Sequence, residues 1–164
     1  MTSILTGAAV IAATFFVPLT ALAHTGNAEL SHGATVTAAG RAGELSKVTR
    51  TVTIGMADTM RFTPGDLVVE RGQTVKIIAR NDGEVLHEIV LGTREEIERH
   101  RAAMRGDPAM AHGAPYMAHV APGESQQIVW QFDRPGKFEF ACLLPGHYES
   151  GMTGSVEVAS AEST

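Results

Sequence analysis

Short stretches in which apolar and polar residues alternate make up most of the chain after residue 47. Such alternation gives a β-strand one buried face and one face that meets water. Turn-forming pairs such as Pro64-Gly65 and Pro135-Gly136 separate the stretches, because proline fixes φ and glycine tolerates positive φ. Many short strands joined by tight turns predict an all-β sandwich. The predicted strands are residues 48–54, 67–70, 74–80, 86–91, 126–132, 137–142 and 154–158.

One segment, residues 93–104, departs from this alternation. Thr93 and Glu96 form the pattern of a capping box, in which two side chains bond the backbone at the start of a helix, and charged residues follow. We therefore predict one short surface helix. Residues 105–118 contain Gly, Pro, Met and His without a period, which predicts a long loop over the sandwich. Trp130 is expected in the core.

The first 46 residues lack the strand pattern. Residues 1–23 contain no Asp, Glu, Lys or Arg and end in Ala21-Leu22-Ala23, a sequence that signal peptidase accepts. We interpret them as a secretory signal peptide, which predicts a periplasmic protein without a membrane segment; an uncleaved membrane anchor is the alternative. Residues 24–46 are expected to form a flexible arm, and residues 47–160 are expected to form a single domain. The protein is expected to be a monomer.

Composition excludes some functions. The formal net charge is -5 and no block of Lys or Arg could neutralise a phosphate backbone, so nucleic acid is not expected as a partner. Cys142 is the only cysteine, which excludes an internal disulfide. A single thiol in an exported protein instead suggests metal ligation.

The residues after Cys142 supply the donors of a copper site. Four residues separate Cys142 from His147, and four more separate His147 from Met152. A thiolate, two imidazoles and a distant thioether can hold both Cu(I) and Cu(II), whereas zinc rarely takes a thioether. The second imidazole is expected from an earlier predicted strand. One copper ion is therefore predicted, with the ligands His87, Cys142, His147 and Met152.

The sequence also predicts supporting roles for residues next to these ligands. Asn81 begins a tight-turn signal just before His87, and it is expected to brace the loop that carries the ligands through side-chain hydrogen bonds. Glu88 could orient a ligand, but a carboxylate on the strand surface is the preferred interpretation. Gly151 is expected to let the chain bring Met152 back over the metal.

The order and spacing of these ligands resemble the cupredoxin family, the group of plastocyanin, azurin and rusticyanin. The resemblance covers roughly residues 48–158, and the spacing from Cys142 to Met152 is closer to rusticyanin and auracyanin than to plastocyanin or azurin. It implies a Greek-key β-sandwich with a type 1 copper at one end. It also implies that His147 is the imidazole nearer to solvent.

Two functions are compatible with this centre. No His flanks Cys142 and no His-x-His pair occurs, so ligands for a second catalytic copper centre are missing and an enzyme is not expected. The preferred function is a one-electron carrier whose redox partner docks near His147. The alternative is copper tolerance, in which the protein binds, sequesters or oxidises Cu(I). The apolar docking residues would be Leu143, Leu144, Pro145 and Tyr148.

An excess of Met and His supports copper tolerance, because thioethers favour Cu(I). Cleavage after Ala23 would place the α-amino group and imidazole of His24 together, a pair that chelates Cu(II). A second copper site could therefore involve His24 or the Met and His residues, although Met residues more often fill the core. The Met and His residues that could take part in this second site are Met56, Met60, Met104, Met110, Met117, His100, His112 and His119.

Overall fold

The computed structural model describes residues 36–106 and 113–160, in which β-strands and one α-helix form. The helix is α1 (Arg94–Gly106), and a short 3-10 turn spans Leu45–Lys47. The strands are β1 (Val36–Thr37), β2 (Gly40–Ala42), β3 (Arg50–Ala57), β4 (Arg61–Thr63), β5 (Asp66–Glu70), β6 (Thr74–Asn81), β7 (His87–Gly92), β8 (Met117–Val120), β9 (Ser125–Gln131), β10 (Gly136–Ala141) and β11 (Thr153–Ala159).

The strands form two sheets that pack face to face. The six-stranded sheet has the order β1-β2-β9-β6-β3-β4, and the five-stranded sheet has the order β5-β11-β10-β7-β8. The pairs β3–β6 and β5–β11 are parallel, and the other pairs are antiparallel. The predicted all-β sandwich is therefore confirmed, and each of the seven predicted strands matches one in the structure.

Apolar side chains from both sheets fill the space between them. Trp130 and Phe132 are wholly buried, and the Phe62 and Phe140 rings meet edge to face with centroids 5.0 Å apart. Burial of each such side chain stabilises the fold by roughly 1.5–3 kcal/mol. The expectation that Trp130 lies in the core is confirmed.

Helix α1 covers the outer face of the second sheet. Its first turn has the predicted capping box, because the Thr93 N–H donates to Glu96 at 2.8 Å and the Glu96 N–H donates to Thr93 Oγ1 at 3.1 Å. Ile97 on the helix packs with Val90 and Ala141 of the sheet. As a result, all six residues of β7 are buried, on both faces of the strand.

The predicted boundary between arm and domain is wrong. Strand β2 pairs with β9, with Arg41 opposite Gln131 and Ala42 opposite Trp130, so the domain includes residues well before 47. Strands pair through backbone N–H and C=O groups, and every residue except proline has both. A segment rich in Ala and Gly can therefore pair as well as an apolar one. Residues 24–35 of the predicted arm and the predicted signal peptide, residues 1–23, lie outside the described residues.

The predicted loop over residues 105–118 also needs correction. Helix α1 extends to Gly106, and Met117 begins strand β8, which pairs with β7. Residues 107–112 lie outside the described residues. Within the described parts of the chain, no helix is long and apolar enough to cross a membrane.

Candidate metal centre

Two adjacent strands bring the candidate ligands to one end of the second sheet. His87 begins β7, and Cys142 directly follows β10, the antiparallel neighbour of β7. His147 and Met152 lie in the segment that connects β10 to β11. We call residues 142–152 the ligand loop.

Three donor atoms converge in this place. The donor atoms of His87, Cys142 and His147 all lie within 4.8 Å of one another. The distance from Cys142 Sγ to His147 Nδ1 is 3.2 Å, and the two imidazole rings have centroids 5.1 Å apart. Among the described residues, this is the one group of three or more His, Cys, Asp or Glu side chains close enough to hold a metal.

His87 is wholly buried, and its Nδ1 atom has no hydrogen-bond partner within the described part of the chain. A buried polar nitrogen is normally satisfied, so an unpaired one calls for a further binding partner. His87 Nε2 contacts Asp58, so Nδ1 is the nitrogen left to join the Cys142 thiol and the His147 imidazole, the donors that copper prefers. The residues therefore fit a copper ion.

Met152 is tied to the other ligands through the backbone. Its side chain is wholly buried in the same cluster as Cys142. Its carbonyl accepts the Cys142 N–H at 3.1 Å, and its own N–H donates to the His147 carbonyl at 3.0 Å. Gly146 and Gly151 have φ values of 84° and 91°, a conformation that favours glycine and lets the loop fold back.

Burial favours the neutral forms of both the Cys142 thiol and the His147 imidazole. Burial raises the pKa of the Cys142 thiol to about 11, although N–H groups of Leu144 and Glu88 act in the opposite direction. A bound metal therefore has to displace this proton. Burial is also the main cause that lowers the pKa of His147, which keeps its imidazole neutral and able to ligate near pH 7.

Glu88 is a buried residue that joins the two ligand-bearing segments. The prediction that it lies on the strand surface is wrong. Its side chain is 0% exposed because α1 and the chain leading into β8 cover the outer face of β7. Its Oε1 lies 2.8 Å from His119 Nε2, and its Oε2 accepts the Leu143 N–H at 3.2 Å. Its own N–H donates to Cys142 Sγ at 3.3 Å.

Asn81 forms side-chain hydrogen bonds as predicted, but they brace the segment before His87 instead of the ligand loop. Its Nδ2 group donates to the Val85 carbonyl at 2.7 Å and to the Val120 carbonyl at 2.9 Å. Its Oδ1 accepts the Gly83 N–H at 2.9 Å. One buried side chain thus fixes the turn that leads into the ligand strand.

Sequence reasoning missed Asp58. This residue lies in the turn between β3 and β4, and its Oδ1 is 3.0 Å from His87 Nε2. The Glu84 N–H is the main cause that lowers the pKa of Asp58, and His87 and Val85 add to it, whereas partial desolvation opposes it. An Asp in a turn after a strand was the only local signal, and nothing in the sequence linked it to His87.

Most of the additional Met and His residues that are described have structural roles. Met56, Met104 and Met117 are buried, and Met60 packs against the core. His119 pairs with Glu88. A second copper site stays a prediction, because three of the residues proposed for it lie outside the described residues: His24, Met110 and His112.

The predicted docking patch is smaller than expected. Leu143 is 4% exposed and therefore offers almost no surface to a partner. Pro145 is exposed, whereas Tyr148 is half-buried beneath the Arg101 guanidinium, which lies 4.8 Å from the ring centroid. His147 is half-buried beside exposed Gly146.

Comparison with known proteins places this geometry among copper proteins. The family model for copper binding proteins of the plastocyanin/azurin family matches residues 48–159. The copper-resistant cuproprotein CopI of Rubrivivax gelatinosus is 50% identical over 119 residues, which cover 73% of this chain and 72% of that protein. The protein of the same name from Vibrio cholerae serotype O1 is 32% identical over 114 residues, covering 69% of this chain and 68% of that protein.

Solved structures show the same fold. The dithionite-reduced auracyanin from Roseiflexus castenholzii aligns with a TM-score of 0.59 and 24% identity, over 68% of this chain and 98% of that one. Auracyanin A, described as a "blue" copper protein from Chloroflexus aurantiacus, aligns with a TM-score of 0.55 and 26% identity, over 66% of this chain and 98% of that one.

Proposed function

The chain belongs to the plastocyanin/azurin family of copper-binding proteins, and from that premise we propose that it is a periplasmic copper-tolerance protein with one type 1 copper centre. The periplasmic location rests on the signal-peptide pattern of residues 1–23. We propose a binding protein that handles copper ions rather than an enzyme that acts on an organic substrate. The proposed copper ligands are His87, Cys142, His147 and Met152.

The observation that carries the proposal is the unpaired, buried Nδ1 of His87 beside the Cys142 thiol and the His147 imidazole. His87 begins β7, whereas Cys142 and His147 lie in the ligand loop. The pairing of β7 with β10 and the bond from the Glu88 N–H to Cys142 Sγ already hold the two segments together. Little rearrangement is therefore needed for them to bind copper. Copper bound by this donor set supplies one-electron chemistry between Cu(II) and Cu(I).

The choice of copper tolerance over electron transfer rests on the relatives. The two proteins that are 50% and 32% identical to this chain are both named copper-resistant cuproproteins. The surface agrees with this choice, since the burial of Leu143 reduces the apolar area that a redox partner would contact. Copper tolerance, the alternative in the sequence analysis, therefore becomes the main proposal.

Electron transfer is the second candidate. The half-buried His147 imidazole lies beside exposed Pro145 and Gly146, so a partner could approach this ligand without any opening of the fold. Sequestration of copper and transfer of electrons through His147 use the same centre. They differ in whether a partner protein is required.

Expression of the full chain in a copper-sensitive Gram-negative strain tests the proposed role. The wild-type protein should raise the copper concentration that permits growth, and Cys142→Ser, produced at the same periplasmic level, should not. Protection by Cys142→Ser equal to that of the wild type would contradict a role for this centre. Failure of the wild type to protect, together with fast electron exchange with an added carrier, would favour the second candidate.

Addition of Cu(I) to the mature protein in air distinguishes how tolerance would arise. The Cu(I) is supplied as its acetonitrile complex, and oxygen in the air is the electron acceptor, with four Cu(I) oxidised for each O2 that is reduced to water. A protein that oxidises Cu(I) should convert many equivalents to Cu(II) faster than a protein-free control. A protein that only sequesters should bind one equivalent and leave the remainder to oxidise at the rate of the control. Cys142→Ser is the matched control in both cases.

A further inference from the structure

The turn between β3 and β4 brings a carboxylate to the outer nitrogen of a proposed ligand. Asp58 Oδ1 lies 3.0 Å from His87 Nε2, although 29 positions separate the two residues in sequence. The other oxygen, Oδ2, accepts the Glu84 N–H at 2.8 Å, and Oδ1 also lies 3.5 Å from the Val85 nitrogen. The carboxylate is thus fixed by the same segment that leads into β7.

Gly83 leaves the space that this carboxylate occupies. A Cβ atom on residue 83 would lie 2.0 Å from Asp58 Oδ1 and 2.7 Å from its Cγ, distances at which one of the two groups has to move. The Gly83 N–H is in turn held by Asn81 Oδ1. Because glycine has no side chain, residue 83 leaves room for the Asp58 carboxylate beside His87.

The chemistry of this contact determines which imidazole nitrogen carries the proton. A carboxylate can only accept hydrogen bonds, so His87 Nε2 has to be protonated. The lone pair of the neutral ring then lies on Nδ1, the atom that is buried without a partner among the described residues. A carboxylate on the outer nitrogen also increases the basicity of a histidine ligand.

We propose that Asp58 is a positioning residue that holds His87 with its Nδ1 lone pair directed at the copper and, through its negative charge, favours Cu(II) over Cu(I). The inference rests on the proposed ligation of copper by His87. It goes beyond the ligand set, because it assigns the preference between the two copper states to a residue that does not touch the metal.

The alternative is a purely structural role, in which Asp58 only anchors the backbone of residues 84 and 85. Replacement of Asp58 would then lower the melting temperature without changing the His87 tautomer or the reduction potential. The His87 tautomer and the reduction potential therefore distinguish positioning from simple anchoring. The tautomer can be measured without copper.

Nitrogen-15 NMR of the copper-free mature protein tests the positioning. We expect wild-type His87 to carry its proton on Nε2 alone, and Asp58→Ala to show a detectable Nδ1–H population. A wild-type protein protonated on Nδ1, or an Asp58→Ala variant with an unchanged tautomer, would overturn the assignment. This result is independent of copper, so it can fail or succeed separately from the proposed function.

The reduction potential of the copper-loaded protein tests the effect of the charge. Asp58→Asn keeps an acceptor oxygen but removes the charge, and should lower the ratio of Cu(II) to Cu(I) affinity about tenfold. For a one-electron couple this raises the potential by about 59 mV. Asp82→Asn is the matched control, because Asp82 is a similarly exposed carboxylate in the adjacent turn that pairs with Arg80 instead of a ligand.

Equal potential shifts in Asp58→Asn and Asp82→Asn would overturn the proposal, since they would indicate a general charge effect. Gly83→Ala gives a second test that leaves Asp58 in place. It should shift the potential in the same direction in the wild-type background and have no effect in the Asp58→Ala background. A wild-type protein without an intense visible band would instead contradict the proposed copper centre itself.

Discussion

On one side of the metal centre, three of the proposed ligands lie within the ligand loop, whereas on the other side His87 depends on contacts from distant parts of the chain. The loop is held by its own backbone hydrogen bonds, such as Cys142 N–H to Met152 O and Met152 N–H to His147 O. The His87 side is held by Asp58, by Asn81 and by strand pairing.

This difference separates two properties of the site. A local motif determines which donor atoms are present, because the ligand spacing can be read directly from the sequence. Long-range contacts determine how the donors are oriented and what charge surrounds them. Substitutions on the two sides should therefore affect different measurements.

Cys142→Ser should have the largest effect, because it removes the thiolate that only the ligand loop supplies. We expect complete loss of the intense visible absorption of the copper-loaded protein. Met152→Leu is the contrast within the same loop: it leaves both imidazoles and the thiolate, so an intense band should persist at a shifted wavelength. An intense band in Cys142→Ser would contradict a type 1 centre.

Glu88→Leu should have the next largest effect, because Glu88 connects the two sides. The substitution leaves the buried Leu143 N–H without its acceptor and removes the carboxylate partner of His119. We expect the free energy of unfolding of the copper-free protein to fall by about 3 kcal/mol, measured by urea denaturation.

Glu157→Leu is the matched control for this substitution. Glu157 is an exposed carboxylate on β11, and its replacement should change the stability by less than about 0.5 kcal/mol. Comparable losses in both variants would show that Glu88 has no special role between the two segments. Glu88→Gln should lose less stability than Glu88→Leu, since an acceptor oxygen remains.

Asn81→Ala tests the His87 side alone. Loss of three hydrogen bonds from this buried side chain should destabilise the copper-free protein by about 2 kcal/mol. Copper affinity should also fall, because the turn before His87 loses its brace, but the visible band should remain when copper is saturating. A variant with wild-type stability would indicate that strand pairing by itself positions His87.

Arg101→Gln should have the smallest effect. Arg101 pairs with Glu98 at 3.0 Å and with Glu149 of the ligand loop, and both partners are about half exposed. Exposed ion pairs contribute little, so we expect the melting temperature to fall by less than about 2 °C, and less at high salt. Arg94→Gln is the control, since its contact with Glu139 is longer, at 4.0 Å. A changed visible spectrum in Arg101→Gln would show that the helix controls the ligand loop.

The parts of the fold that the sequence predicted are those with a local signal. Seven strands followed from alternation, and α1 followed from the Thr93 and Glu96 pair. Four strands were missed because they have only two to four residues, too few to show alternation. They become strands only by pairing: β1 with β2, β2 with β9, β4 with β3 and β8 with β7.

The same distinction applies to the site. The convergence of His87 with Cys142 and His147 agrees with the predicted ligand set. The turn signal indicated that Asn81 forms side-chain hydrogen bonds, but not that they hold the segment before His87. Burial of Glu88 was not predictable from the alternation in β7, because α1 covers the face that would otherwise meet water. Asp58 was missed because its contact with His87 exists only after β3 and β6 have paired.

Anomalous diffraction at the copper absorption edge, from crystals of the copper-loaded mature protein, tests the central claim most directly. We predict one strong copper peak bonded to His87 Nδ1, Cys142 Sγ and His147 Nδ1, with the Met152 sulfur at a longer distance. A strong peak elsewhere on the chain, with these four side chains free of metal, would contradict the account.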